Sequence, residues 1–129
     1  MNKFKILIVD DSDFFRQTLK ATLKRYFPTI TIEEAVDGGK ALEKVDAFAP
    51  DLIFLDIQLP GDNGLELTRK IKATHPEMII FILTTYDIQE YRSAASKYGA
   101  DRFLAKSSLN PTGIEELVKS YQKAPADLR

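Results

Sequence analysis

Short apolar runs alternate along this chain with segments in which apolar residues return every three or four positions. The runs are Ile6-Leu7-Ile8-Val9, Ile30-Thr31-Ile32, Leu52-Ile53-Phe54-Leu55, Met78 to Leu83, and a weaker Phe103-Leu104-Ala105. Most are continuous rather than alternating, as expected of strands buried on both faces of a parallel sheet. The stretch from Ile30 to Glu34 is more polar and suits a sheet edge. Between the runs, Phe15, Leu19, Thr22, Leu23 and Tyr26 fall on one helical stripe, as do Ala41, Leu42, Val45 and Phe48. Leu67 and Ile71, then Tyr91, Ala94, Ala95 and Tyr98, then Ile114, Leu117, Val118 and Tyr121 repeat the period. Asn110-Pro111 reads as a helix cap followed by proline at the first helical position, and Gly99 as a helix stop. Strand and helix therefore alternate five times. Right-handed crossovers predict an α/β, doubly wound, five-stranded parallel sheet ordered 2-1-3-4-5.

Composition narrows the chemistry. The 129 residues suit one domain, and without cysteine there is no disulfide, thiolate metal site or cysteine nucleophile. Eighteen basic and nineteen acidic side chains leave a net charge of −1, so no global field draws in nucleic acid or a membrane. The apolar run Ile6 to Val9 ends at Asp10, too short for a secretory signal or a membrane span. A soluble, cytoplasmic domain is expected.

A doubly wound sheet holds its ligand at the carboxyl ends of its strands. The first run ends in Asp10-Asp11, the third in Asp56, the fourth in Thr84-Thr85 and the fifth in Lys106. In the predicted order these strands are neighbours, so three carboxylates, a hydroxyl and an ammonium converge. Crowded carboxylates repel one another, and a hard divalent cation such as Mg²⁺ relieves that repulsion. Each residue alone has a plainer reading: a turn or cap for any one Asp, a satisfied strand-end hydroxyl for Thr84, a solvated ammonium for Lys106. Their coincidence on one sheet edge favours function.

The pattern resembles the receiver domain of bacterial two-component response regulators, the flavodoxin-like fold of the single-domain chemotaxis-type regulators. The resemblance runs from Lys5 to about Tyr121. It rests on Ile-Leu-Ile-Val-Asp10-Asp11, on Asp51-Leu-Ile-Phe-Leu-Asp56 followed by Leu59-Pro60-Gly61-Asp62-Asn63-Gly64-Leu65-Glu66-Leu67, on Ile82-Leu83-Thr84, and on Gly99-Ala100-Asp101-Arg102-Phe103-Leu104-Ala105-Lys106. It implies a phosphoryl-accepting switch, a signalling protein rather than an enzyme, with Asp56 as acceptor. Asp11, Asp56 and the backbone carbonyl of Gln58 would ligate Mg²⁺ (or Mn²⁺) directly, and Asp10 mainly through water. Lys106 and Thr84 would contact the phosphoryl oxygens, and Phe103 would follow Thr84 between two rotamers. Gln58 and Tyr86 would border the path of the hydrolytic water and tune the lifetime of the phosphorylated state. The implied donor is a sensor histidine kinase, a phosphotransfer protein or a small phosphodonor. The implied readout is a downstream effector or homodimer partner on the face of the fourth helix, fifth strand and fifth helix, with no direct nucleic-acid or membrane binding.

Three positions depart from the family pattern. Ser107 follows the lysine where proline reached by a cis peptide is common, so either trans geometry or a strained loop is expected. Thr85 stands where a very small residue is usual and narrows access to Asp56. Asn63 replaces a frequent Asp. Two other readings compete: a receiver-like interaction module that is never phosphorylated, and a small phosphatase of the haloacid dehalogenase type, suggested by Asp11-Ser12-Asp13. Against the phosphatase, Phe15 stands where Thr or Val belongs and no paired carboxylates follow the fourth strand. Gly38-Gly39-Lys40 matches neither glycine-rich nucleotide motif and reads as a helix start. The domain is expected over 1–123, with 124–129 a tail or linker stub.

Overall fold

A computed structural model describes residues 4–127, with side chains through Gln122. The strands are β1 (Lys5–Val9), β2 (Thr31–Ala35), β3 (Leu52–Asp56), β4 (Ile79–Thr84) and β5 (Arg102–Ala105). The helices are α1 (Asp13–Tyr26), α2 (Gly38–Phe48), α3 (Gly64–Thr74), α4 (Gln89–Lys97) and α5 (Pro111–Asp127). The strands pair in parallel in the order β2-β1-β3-β4-β5, as the alternation of runs predicts. The polar second strand is indeed an edge. A short hairpin of two-residue strands, Gln58–Leu59 against Asp62–Asn63, lies between β3 and α3.

Successive strand residues face opposite sides, so each continuous apolar run feeds two cores. Leu7, Val9, Ile53, Leu55, Ile80 and Ile82 pack with Ala41, Val45, Leu67, Ile71 and Ala95 of α2, α3 and α4. Ile6, Ile8, Phe54, Phe81 and Leu83 pack with Leu19, Leu23, Ile114 and Val118 of α1 and α5. Phe54 meets Phe81 edge-on at 5.3 Å between centroids, and Phe81 meets Tyr121 at 5.0 Å. The helix ends follow side-chain chemistry. Ser12 Oγ accepts from Phe15 N, Asp37 Oδ1 from Lys40 N, Asn63 Oδ1 from Leu65 N and Asn110 Oδ1 from Gly113 N. Gly38-Gly39-Lys40 starts α2. Gly99 leaves α4 at φ +94°, a conformation that favours glycine.

The last helix runs through the first four residues of the segment expected as a tail. Residues 1–3 of the expected domain and 128–129 of the expected tail lie outside the described residues. Among the described residues, no helix is long and apolar enough to cross a membrane.

Candidate functional site

Because all five strands are parallel, the residues at their carboxyl ends share one edge of the sheet. Asp10 comes directly after β1 and is fully buried; Asp56 ends β3 and is 5 % exposed; Asp11 reaches solvent. One carboxylate oxygen from each lies within 4.8 Å of the others. Lys106, just after β5, places its ammonium 2.6 Å from Asp10 Oδ2 and 3.5 Å from Asp56 Oδ2. The ring of Phe15 lies 4.5 Å from that ammonium. Thr84 ends β4, buried.

The acids are oriented by their own loops. Ser12 N donates to Asp10 Oδ1 at 2.9 Å, and Gln58 N to Asp56 Oδ1 at 3.3 Å. Asp10 Oδ2 accepts no hydrogen bond among the described residues and is held by the ion pair with the Lys106 ammonium. A buried anionic oxygen without an aligned donor is costly, and a cation coordinated there would relieve it. An all-oxygen, part-solvated donor set suits Mg²⁺ or Mn²⁺. Burial, and then the negative charge of Asp10, push the Asp56 carboxyl up to about 6, against the opposing pull of Lys106 and the Gln58 amide.

The other expected residues make contacts of their own. The Thr84 hydroxyl donates to Tyr86 O at 2.8 Å and accepts from Tyr86 N at 3.0 Å, so it is satisfied within its own turn. Thr85 is exposed, and Tyr86 is 55 % exposed. Gln58 is exposed and pairs with Asn63 across the small hairpin. Phe103 is half-buried against the α2–α4 core, with the Arg92 guanidinium 4.7 Å from its ring. Arg92 in turn pairs with Asp87 at 2.8 Å. The peptide from Lys106 to Ser107 is trans, as no cis bond occurs among the described residues, and Lys106–Ser108 forms a 3₁₀ turn. Of the two geometries open to the sequence, the unstrained one is adopted. Asp13, the second acid of the phosphatase reading, has a side chain 88 % exposed and paired with Arg16.

Two structural residues of the site escape sequence reasoning. Gly64 packs so closely behind β3 that a Cβ there would lie 2.2 Å from the Asp56 carbonyl oxygen. Arg16 is 7 % exposed on the stripe of Leu19 and Leu23, where an apolar residue belongs. Its placement there was the available signal. Glu34, its partner on β2, has its carboxyl pushed up by burial but held below the ordinary value by hydrogen bonds from Arg16 and Lys20.

Comparison with known proteins agrees with this geometry. The family model described as the response regulator receiver domain matches residues 6–121. A protein-glutamate methylesterase/protein-glutamine glutaminase of Geobacillus kaustophilus is 38 % identical over 84 % of this chain and 31 % of its own length. The response regulator MprA of Mycobacterium ulcerans is 37 % identical over 88 % of this chain and 47 % of its own. The chain thus spans about half the length, or less, of these curated relatives. The crystal structure of a CheY-like receiver domain protein from Methanospirillum hungatei superposes with a TM-score of 0.87 at 28 % identity, covering 98 % of this chain and 99 % of that one. With a matched family model across nearly the whole fold and the acidic strand-end cluster in place, the chain belongs to the response regulator receiver domains, the phosphoryl-accepting switches of two-component signalling.

Proposed function

We propose that Asp56 is the phosphoryl acceptor, with Asp10, Asp11, Asp56 and the Gln58 carbonyl as the residues that hold Mg²⁺ or Mn²⁺. The observation that carries this reading is the convergence of Asp10, Asp11 and Asp56 within 4.8 Å with the Lys106 ammonium beside two of them. An Asp56 carboxylate oxygen attacks phosphorus, the bond to the donor's leaving group breaks, and an acyl phosphate forms. The cation, when bound, neutralises charge on the transferred oxygens. Lys106 does the same from the β5 side, exchanging its Asp56 contact for a phosphoryl oxygen. Thr84 exchanges its bond to Tyr86 for another phosphoryl oxygen, and the half-buried Phe103 follows it. The face of α4, β5 and α5 then changes its packing, a population shift driven by those new contacts.

In this reading the donor is a sensor histidine kinase, a phosphotransfer protein or a small phosphodonor acting on the chain in the cytoplasm, and the remodelled face meets an effector or a second copy. The chain itself acts as a signalling protein. Incubation with acetyl phosphate tests the reading: one phosphoryl group is expected per chain with Mg²⁺, and none in excess EDTA. Uptake undiminished by EDTA would remove the metal from the mechanism.

Tyr86 and Gln58 set the lifetime. Gln58 can orient only a water that is present, whereas a Tyr86 ring over the approach excludes it. Tyr86→Ala is therefore expected to speed loss of the phosphoryl group several-fold, each tenfold being about 1.4 kcal/mol of barrier. Decay measured by intact mass at intervals checks this, and an unchanged rate would place the ring elsewhere.

A further inference from the structure

Among the described residues, Arg16 is the only buried basic side chain, and each arm of its guanidinium has a different acceptor. Nη1 donates to the backbone carbonyl of Asp10 at 2.8 Å, Nε to Glu34 Oε1 on β2 at 2.8 Å, and Nη2 to Asp13 at the start of α1. The backbone around it is pinned as well. Asp10 N donates to Ala35 O at 3.1 Å, and Arg16 N to Ser12 O at 3.0 Å. Lys20 holds the other oxygen of Glu34 at 3.2 Å without touching Asp10. A planar fork donates from three nitrogens in fixed directions and so spans acceptors on three separate elements, whereas an ammonium offers its three donors from a single nitrogen.

We propose that Arg16 is a positioning residue for the cation site, tying the Asp10 carbonyl to β2 and α1 and so fixing the loop that presents Asp10 and Asp11. The inference rests on the proposed function, in which the acidic cluster is the cation site. Fixing the Asp10 carbonyl fixes the plane of the peptide that leads into Asp11, whose exposed side chain makes no hydrogen bond or ion pair among the described residues. Coulomb's law alone makes the opposite prediction. A positive charge this near the acids repels a cation, so its removal would tighten binding. Positioning makes removal weaken binding, so the sign of the change separates the two.

Mn²⁺ binding to the full chain, followed by electron paramagnetic resonance of the free ion, reads that sign without relying on phosphorylation. Both Arg16→Met, which loses the charge, and Arg16→Lys, which keeps it but loses the fork, are expected to bind Mn²⁺ roughly tenfold more weakly. Lys20→Ala, which removes a neighbouring partner of Glu34, is expected to bind like the parent chain. Should Arg16→Met not fold by circular dichroism, Arg16→Lys carries the comparison alone. Parental affinity in folded Arg16→Lys overturns the proposal, as does tighter binding in Arg16→Met or an equal loss in Lys20→Ala. If the parent chain itself binds no Mn²⁺, the reading of the acidic cluster fails and takes this inference with it. Parental binding with an insensitive Arg16 removes the inference alone.

Discussion

Asp56→Asn is expected to stabilise the metal-free protein by about 3 kcal/mol at pH 7. The Asp56 carboxyl is raised from 3.8 to about 6, first by burial and then by the charge of Asp10. At 1.36 kcal/mol per unit, that rise corresponds to about 3 kcal/mol of cost to the ionised folded state. The sign comes from proton binding. Between about pH 4 and pH 6 the folded chain keeps this proton while the unfolded chain has released it, so stability falls as pH rises through that window. Below pH 4 both states are protonated and the two proteins should converge. Asparagine has the shape of the neutral acid and no charge to bury. Urea unfolding at pH 4 and pH 7 in EDTA measures the effect. Added Mg²⁺ should narrow the gap at pH 7, because a cation bound only by the folded parent chain stabilises it through mass action. Equal stability of the two proteins at pH 7 in EDTA would mean that Lys106 already offsets the burial of the charge.

Gly64→Ala is expected to cost roughly 3 kcal/mol and to disturb Asp56 as well as the fold. The added Cβ would meet the Asp56 carbonyl oxygen at 2.2 Å and Ile57 Cα at 2.8 Å, both backbone atoms in a buried segment. Gly64 N also donates to Ile57 O at 2.7 Å, which prevents α3 from simply backing away. Overpacking against backbone of this kind costs about 1–3 kcal/mol or more. The better helix propensity of alanine returns at most about 1 kcal/mol, and less at a first helical position. The clash therefore dominates. Thermal or urea unfolding gives the stability, and Mn²⁺ affinity of the folded variant reports the displacement of Asp56. A variant as stable as the parent, with unchanged Mn²⁺ affinity, would show that α3 can shift without moving β3.

The strands and the site acids were legible for related reasons. Continuous apolar runs such as Leu52–Leu55 occur where both faces are covered, and such a sheet fixes where polar residues at run ends must gather. Hence Asp10, Asp56 and Lys106 could be placed together without knowing a contact. The cap residues Asn110 and Asp37 act within three positions of themselves, so local sequence also carries them or their helix starts. Relations across elements were not visible. The three partners of Arg16 include one on β2, eighteen positions away, and nothing in a single sequence pairs them. Gly64 was readable as part of the stretch behind Asp56 that carries the family resemblance but not as the close neighbour of the Asp56 carbonyl, which depends on the angle at which α3 leaves β3. The choice of trans geometry at Ser107 likewise depends on the 3₁₀ turn that begins at Lys106. The bonds of the Thr84 hydroxyl to Tyr86 O and from Tyr86 N depend in the same way on how the loop after β4 turns back on itself.

Everything proposed for the switch depends on which residue is phosphorylated. After incubation with acetyl phosphate and Mg²⁺, the acyl phosphate can be reduced with borohydride, which converts the modified aspartate to homoserine, and mapped by peptide mass spectrometry. The expected result is a single converted site at Asp56, with no phosphoryl uptake by folded Asp56→Asn. Conversion at Asp10, Asp11 or Asp13, or full uptake by Asp56→Asn, would contradict it.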